Sequence, residues 1–262
     1  MPPRSLQTAA LGMTAQQTKV NNIANNLANA NTTGFKRSRV VFKDLLYQNV
    51  QADGEGDATG AEPAELQMGH GATAVATVRN FSQGGFTETG NALNMAINGD
   101  GFFQVRRPDG TMAYTRDGTF TLSSEGNLVT QTGLQVQPNI NVPPDAVEID
   151  VNKEGVVSAR LQGESEMIEL GQLELARFSN TAGLRAVGGN LYEQTEASGE
   201  PFLGAPGRNG MGTVRQGFLE KGNVQVVKEM TSLIQAQRTY ELNSKMVKAS
   251  DNMMQTANNV KR

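Results

Sequence analysis

Two apolar heptads lie at opposite ends of this 262-residue chain, and the long stretch between them keeps a different period. In residues 5–31, Leu6, Met13, Val20 and Leu27 recur every seven positions, and Ala9, Gln16, Ile23 and Ala30 follow three positions behind. In residues 223–260, Val226, Leu233, Tyr240, Val247 and Met254 repeat the pattern. Met230 and Ile234 widen that stripe, and Met246, Met253 and Val260 add a parallel row. This is the spacing of helices that pack against helices. Two seams so far apart are completed by closing on each other, on copies of the same protein, or on both. One internal helix hairpin over a β domain would satisfy the heptads but leave the surrounding Asn, Gln and Ala positions unexplained.

Asparagine sharpens the contrast. Asn21, Asn22, Asn25, Asn26, Asn29 and Asn31 fall within eleven residues. Each costs roughly half a kcal/mol relative to Ala in a helix. Buried among helices, an amide can bridge neighbours and fix their register. The alternative is a solvated helix end finishing near Gly34, a residue suited to a left-handed cap.

Composition excludes several classes. The net charge of −3 is wrong for a broadly cationic nucleic-acid binder. Charge is segregated: residues 51–65 carry five acids and no base, whereas residues 1–50 carry six basic residues and one acid. The run Lys36-Arg37-Ser38-Arg39 lacks interleaved aromatics and reads as a solvated or subunit-pairing face. There are no cysteines, which excludes disulfides and thiolate zinc sites. Met1-Pro2-Pro3-Arg4-Ser5 is not followed by a continuous apolar run, so neither a cleavable signal nor a membrane-embedded segment is expected.

The middle of the chain has the short period of β structure. Pro108-Asp109-Gly110, Asp117-Gly118 and Glu125-Gly126-Asn127 punctuate alternating runs at 102–105, 112–115, 119–122 and 128–129. Further strands are expected at 147–151, 156–160, 168–170 and 172–178, before a Gly- and Pro-rich passage at 199–212. The fold class is therefore α+β: long N- and C-terminal helices forming a coiled-coil-like domain, with a central, mostly antiparallel β domain.

No catalytic constellation emerges. The single histidine, His70, sits between glycines and has no Cys to share a metal with. Gly99-Asp100-Gly101 lacks the third glycine of a dinucleotide fingerprint and leads into a strand. The Asp-Gly pairs do not have the spacing of a calcium loop. Enzyme activity, a cofactor and a metal are all unexpected.

Three segments carry a family resemblance. Ala24-Asn25-Asn26-Leu27-Ala28-Asn29, followed by Asn31-Thr32-Thr33-Gly34-Phe35-Lys36, resembles the N-terminal motif of bacterial flagellar rod and hook proteins. Ala96-Ile97-Asn98-Gly99-Asp100-Gly101-Phe102-Phe103 resembles their second shared motif, and Gln237–Lys245 their C-terminal one. Within the basal-body rod family, the chain length, the run Phe42–Gln48 and Tyr114-Thr115-Arg116-Asp117-Gly118 are most similar to distal-rod members. Gln7, where relatives often place an aromatic, and the acidic, Gly-rich stretch after Tyr47 depart from the pattern.

The resemblance implies a structural subunit of the distal rod, the drive shaft of the basal body. It implies polymerisation into a hollow helical tube, torque transmission from motor to hook, and export by the flagellar type III apparatus without a cleaved signal. Implied partners are further copies of the chain, proximal rod proteins and hook-side subunits along the axis, and the surrounding peptidoglycan-layer and outer-membrane ring proteins.

Residues 1–34 and 219–262 would form the inner tube. Residues 35–95 and 200–218 would connect, with a long loop at 48–70, and 96–199 would form the outer β domain. Expected subunit-packing residues are Leu6, Met13, Val20, Ile23, Asn25, Asn26, Leu27, Asn29, Phe35, Val226, Met230, Leu233, Tyr240, Val247 and Met254. The acids Asp53, Glu55, Asp57, Glu62 and Glu65 mark a rod-specific loop. The alternatives are a proximal rod or hook subunit, or an export chaperone or cap-like binding protein.

Overall fold

Both heptad segments are helical in the computed structural model, which describes residues 4–50, 66–163 and 166–260. Helix α1 spans Arg4–Ala28 and helix α2 spans Val226–Val260. No Gly or Pro interrupts α2, and α1 contains one glycine, Gly12. Helix α1 stops short of residue 31 because local polar groups take over the backbone. The Thr32 N–H donates to Asn29 O at 3.1 Å, and the Thr32 hydroxyl reaches Asn29 Oδ1 at 3.3 Å. Gly34 is left-handed, with φ of +68°, but lies beyond these turns and is not the cap of α1.

The described residues divide into two compact units, each discontinuous in sequence. The first comprises Met1–Leu27, Ser38–Val78 and Gln225–Arg262. It holds most of α1, all of α2 and two antiparallel strand pairs. Ser38–Asp44 pairs with Ala72–Arg79, a strand that ends at the unit's border, and Tyr47–Val50 pairs with Leu66–Gly69. The expected long loop at 48–70 is thus entered and left by strands, in the register Tyr47↔Gly69 to Val50↔Leu66. Its acids at 53, 55, 57, 62 and 65 lie outside the described residues.

The second unit comprises Ala28–Arg37 and Arg79–Val224. Its main sheet has nine strands. The strand Phe102–Arg106 is flanked by Met112–Thr115 on one edge. Gln135–Gln137 and Leu175–Arg177 share the other edge. Both faces of this sheet are covered. Phe103, Val105, Ala113, Phe120 and Leu175 enter one apolar cluster, while Phe102, Tyr114, Ala176, Phe178 and Tyr192 enter another. The two-residue pleat sends neighbours such as Phe102 and Phe103 to opposite sides. A three-stranded sheet of Ala146–Val151, Val156–Leu161 and Met167–Gln172 lies beside it in sequence.

The expected strand at 172–178 is two elements. Met167–Gln172 ends, buried Leu173 intervenes, and Leu175–Arg177 joins the main sheet. The passage at 199–212 also contributes a strand, Phe202–Gly204, paired with Leu175–Arg177.

Candidate functional site

In the first unit, the face of α2 turned toward the rest of the chain is not its apolar row. Glu229, Ala236 and Ser250 are buried and Asn243 is half-buried, and these four are seven residues apart. Two contacts tie this row to α1. Asn26 Nδ2 lies 3.4 Å from Glu229 Oε2, and a Cβ added at Gly12 would sit 2.8 Å from Asn243 Nδ2. Residues 12 and 26 meet residues 243 and 229, so α1 and α2 run antiparallel, with 14 residues between the contacts on each helix.

Asn26 also explains part of the asparagine cluster. Its Oδ1 accepts the Ser38 N–H at 2.9 Å, and its Nδ2 donates to Ser38 O at 2.8 Å. Asn22, one turn earlier, donates to the Ser38 hydroxyl at 2.7 Å. The amides therefore hold the start of a strand against α1, which offsets their poor helix propensity.

The second unit contains a buried ionic cluster that local sequence did not reveal. Lys36, expected on a solvated or subunit-pairing face, has no exposed side-chain surface. Its Nζ lies 2.6 Å from Glu220 Oε1, itself fully buried, and donates to Ser82 O at 2.9 Å. The Gly84 N–H donates to the same carboxylate oxygen at 2.8 Å. Arg116 Nη1 faces Glu220 Oε2 at 3.5 Å, while Nη2 donates to Gly99 O at 2.8 Å. Burial pulls the Lys36 ammonium below the usual lysine range, with Glu220 opposing that shift and Arg116 adding to it. Burial likewise lowers the Arg116 pKa.

This cluster clamps the segment after α1 to the segment before α2. The Gly34 N–H donates to Glu220 O at 2.8 Å. A Cβ at Gly34 would lie 2.7 Å from Asp117 N, so the glycine serves close approach as well as its left-handed φ. Asn223 accepts the Arg37 N–H at 2.7 Å and donates to Asn80 O and Ser82 O. Phe35 is buried beneath Arg79, whose guanidinium carbon is 6.0 Å from the ring centroid. The Thr-Thr-Gly-Phe-Lys motif is therefore a strap for the two chain ends.

The expected packing residues fall into three groups. Ile23, Asn26 and Phe35 are buried inside the chain. Leu6, Met13, Val20, Leu27, Asn29, Leu233, Val247 and Met254 are half-buried. Asn25, Val226, Met230 and Tyr240 are exposed. Sequence reasoning missed Glu220, Arg116, Asn223 and the polar α2 row. The one available signal was the seven-residue spacing of Glu229, Ala236, Asn243 and Ser250.

Among the described residues no group of three or more His, Cys, Asp or Glu is placed to hold a metal ion. No described helix is long and apolar enough to cross a membrane.

Three family profiles match the chain. Residues 6–36 match "Flagella basal body rod protein", residues 96–159 the "Flagellar hook protein FlgE/F/G D1 domain", and residues 215–260 "Flagellar basal body rod FlgEFG protein C-terminal". The flagellar basal-body rod protein FlgG of Borreliella burgdorferi is 49% identical over 262 residues, covering 99% of each chain. FlgG of Agrobacterium fabrum is 46% identical, over 95% of this chain and 96% of its own. FlgG of Bacillus subtilis is 38% identical over 99% of each. With its two ends and its β region each matched, this chain belongs to the flagellar basal-body rod protein family.

Proposed function

We propose that the protein is a structural subunit of the flagellar distal rod. The reading rests on identities of 42–49% to several FlgG proteins over nearly the whole chain. Its location is the flagellar basal body. The role is mechanical rather than enzymatic, in keeping with a family of structural rod components.

In this reading the chain polymerises into a hollow helical tube that carries torque from motor to hook. The antiparallel α1–α2 pair extends into coiled-coil-like packing, and residues 1–34 and 219–262 form the inner wall. Residues 35–95 and 200–218 connect to an outer β domain at 96–199. Further copies of the chain flank each subunit, with proximal rod and hook-side subunits above and below and ring proteins around. Export runs through the flagellar type III apparatus. Leu6, Met13, Val20, Leu27, Val226, Met230, Leu233, Tyr240, Val247 and Met254 supply packing between subunits. The acids at 53, 55, 57, 62 and 65 bridge to a neighbour.

One observation supports the assembly reading most. The third family motif, Gln237–Lys245, is largely solvent-facing on α2, and its close internal contact is Asn243 over Gly12. Residues with little internal work on a long helix suit contacts between subunits. The test is complementation of a flagellated bacterium lacking its distal-rod subunit. Expression of this chain should restore hooks on isolated basal bodies, with the chain located by antibody labelling between proximal rod and hook. Basal bodies ending at the proximal rod would reject the function.

A further inference from the structure

We propose that subunits join head to tail by inserting an apolar ridge at the start of α2 into a cleft that lies beside the middle of α2 on a second copy. This deepens the rod-subunit reading and rests on it. The ridge is Val227, Met230 and Ile234, which are 79%, 51% and 51% exposed. Their spacing of three and four residues aligns them on one face. Val227 and Ile234 each precede a buried-row residue, Glu229 or Ala236, by two positions. Two residues are about 200° around a helix, so the ridge points away from the face that meets α1.

The cleft belongs to the same unit and encloses about 520 Å³. Its walls are Ala9 and Gly12 of α1, Met68, His70 and Gly71 beside the paired strands, and Met246 of α2. Small residues keep it open. Gly71 has φ of +103°, and a Cβ there would lie 3.3 Å from the Thr8 methyl; a Cβ at Gly12 would press on Asn243. His70 Nδ1 sits 2.9 Å from Leu46 O and holds the rim. Met68 and Met246, 44% and 55% exposed, stand at the mouth. Among the described residues no Asp, Glu, Lys or Arg lines the cleft, and the three ridge residues are uncharged.

An uncharged i, i+3, i+7 ridge and an uncharged groove with flexible methionines match the way amphipathic helices are recognised. The occupant is a second copy because one unit of this chain carries an exposed uncharged ridge and, at a separate place, an uncharged cleft to which α2 adds only Asn243 and Met246. Met230 and Met246 are sixteen residues apart, roughly 24 Å along α2. A donor and an acceptor at different places on one chain form a heterologous contact, which propagates as an open helical filament instead of closing as a dimer.

The chain has no cysteine, which makes thiol capture specific. Full-length Ile234→Cys and Met68→Cys proteins are mixed and mildly oxidised, with folding verified by circular dichroism. The mixed disulfide should form at least tenfold faster than either self-pair. A mixed rate no greater than the self-pair rates overturns the proposal. A second arm uses Ile234→Asp and Met246→Asp, each of which retains one working half. Alone, each should lose filament elongation at least tenfold by light scattering; mixed, they should give a discrete dimer by sedimentation velocity. Wild-type-like elongation of either variant, or no dimer in the mixture, overturns it. If wild-type filaments grow and the mixed disulfide forms while the chain fails to restore hooks on basal bodies in the complementation test, the rod reading fails and the ridge–cleft contact stands.

Discussion

Lys36→Met is the substitution whose consequence follows most directly from the geometry. The wild-type ammonium is fully buried, 2.6 Å from Glu220 Oε1 and 2.9 Å from Ser82 O. Removing it strands a buried carboxylate, and breaking such a pair from one side costs about 3–5 kcal/mol. Glu220 keeps the Gly84 N–H at 2.8 Å and Arg116 at 3.5 Å, which places Lys36→Met near the lower end. Glu220→Gln is worse, about 5 kcal/mol, because it removes the carboxylate that two buried cations share. The double variant should cost less than the sum of the singles by about 1–3 kcal/mol, the coupling of contacting groups.

The assay is urea unfolding of the dilute full-length chain, followed by near-ultraviolet circular dichroism. There is no Trp and there are four Tyr; Tyr114 and Tyr192 are buried in the second unit and report its packing. With a denaturant slope of about 1–3 kcal/mol per molar, Lys36→Met should lower the midpoint by about 1–3 M. A Lys36→Met midpoint within about 0.3 M of wild type, or strictly additive costs in the double variant, would refute the reasoning.

Three further outcomes are expected. Gly34→Ala should destabilise the same transition by about 1–3 kcal/mol, through left-handed strain and collision with the Asp117 backbone; an unchanged urea midpoint would count against it. Glu193 is hydrogen-bonded first to Arg185 and then to Arg107, which holds its carboxyl below the usual 4.5. A depressed carboxyl stabilises the fold above its unfolded pKa and loses that contribution as pH falls through the folded value. Acid unfolding of Glu193→Gln should therefore show a shallower loss below pH 4.5 than wild type, and superimposable acid limbs would remove the effect. Leu233→Asp should abolish pelletable filaments while leaving the near-ultraviolet spectrum intact, because an unpaired carboxylate in a dry seam costs several kcal/mol per subunit; normal pelleting would reject the seam.

The helices and the central strands were legible because their signals are local. Heptads at Leu6–Leu27 and Val226–Met254 became α1 and α2. Asp-Gly turns bracketed the strands Phe102–Arg106 and Met112–Thr115. Period alone does not say which row of a helix meets which partner. The apolar row drew attention on α2, yet the chain buries Glu229, Ala236 and Ser250, because Asn26 and Gly12 supply polar and small counterparts. Lys36 was illegible for a related reason. A Lys-Arg-Ser-Arg run looks solvated until Glu220, 184 residues away, is folded against it. Weakly patterned strands such as Ser38–Asp44 and Tyr47–Val50 depend on partners more than twenty residues away at their outer ends and carry little period-two signal.

The central claim is that the terminal helices make the wall of a polymer and the β unit decorates it. Electron microscopy of filaments grown from the purified chain, with helical reconstruction, tests this directly. The account predicts straight hollow tubes whose channel is lined by α1 and α2, with residues 96–199 on the outside. Tubes lined by the β unit, or a chain that stays monomeric at every concentration and salt tried, would contradict it.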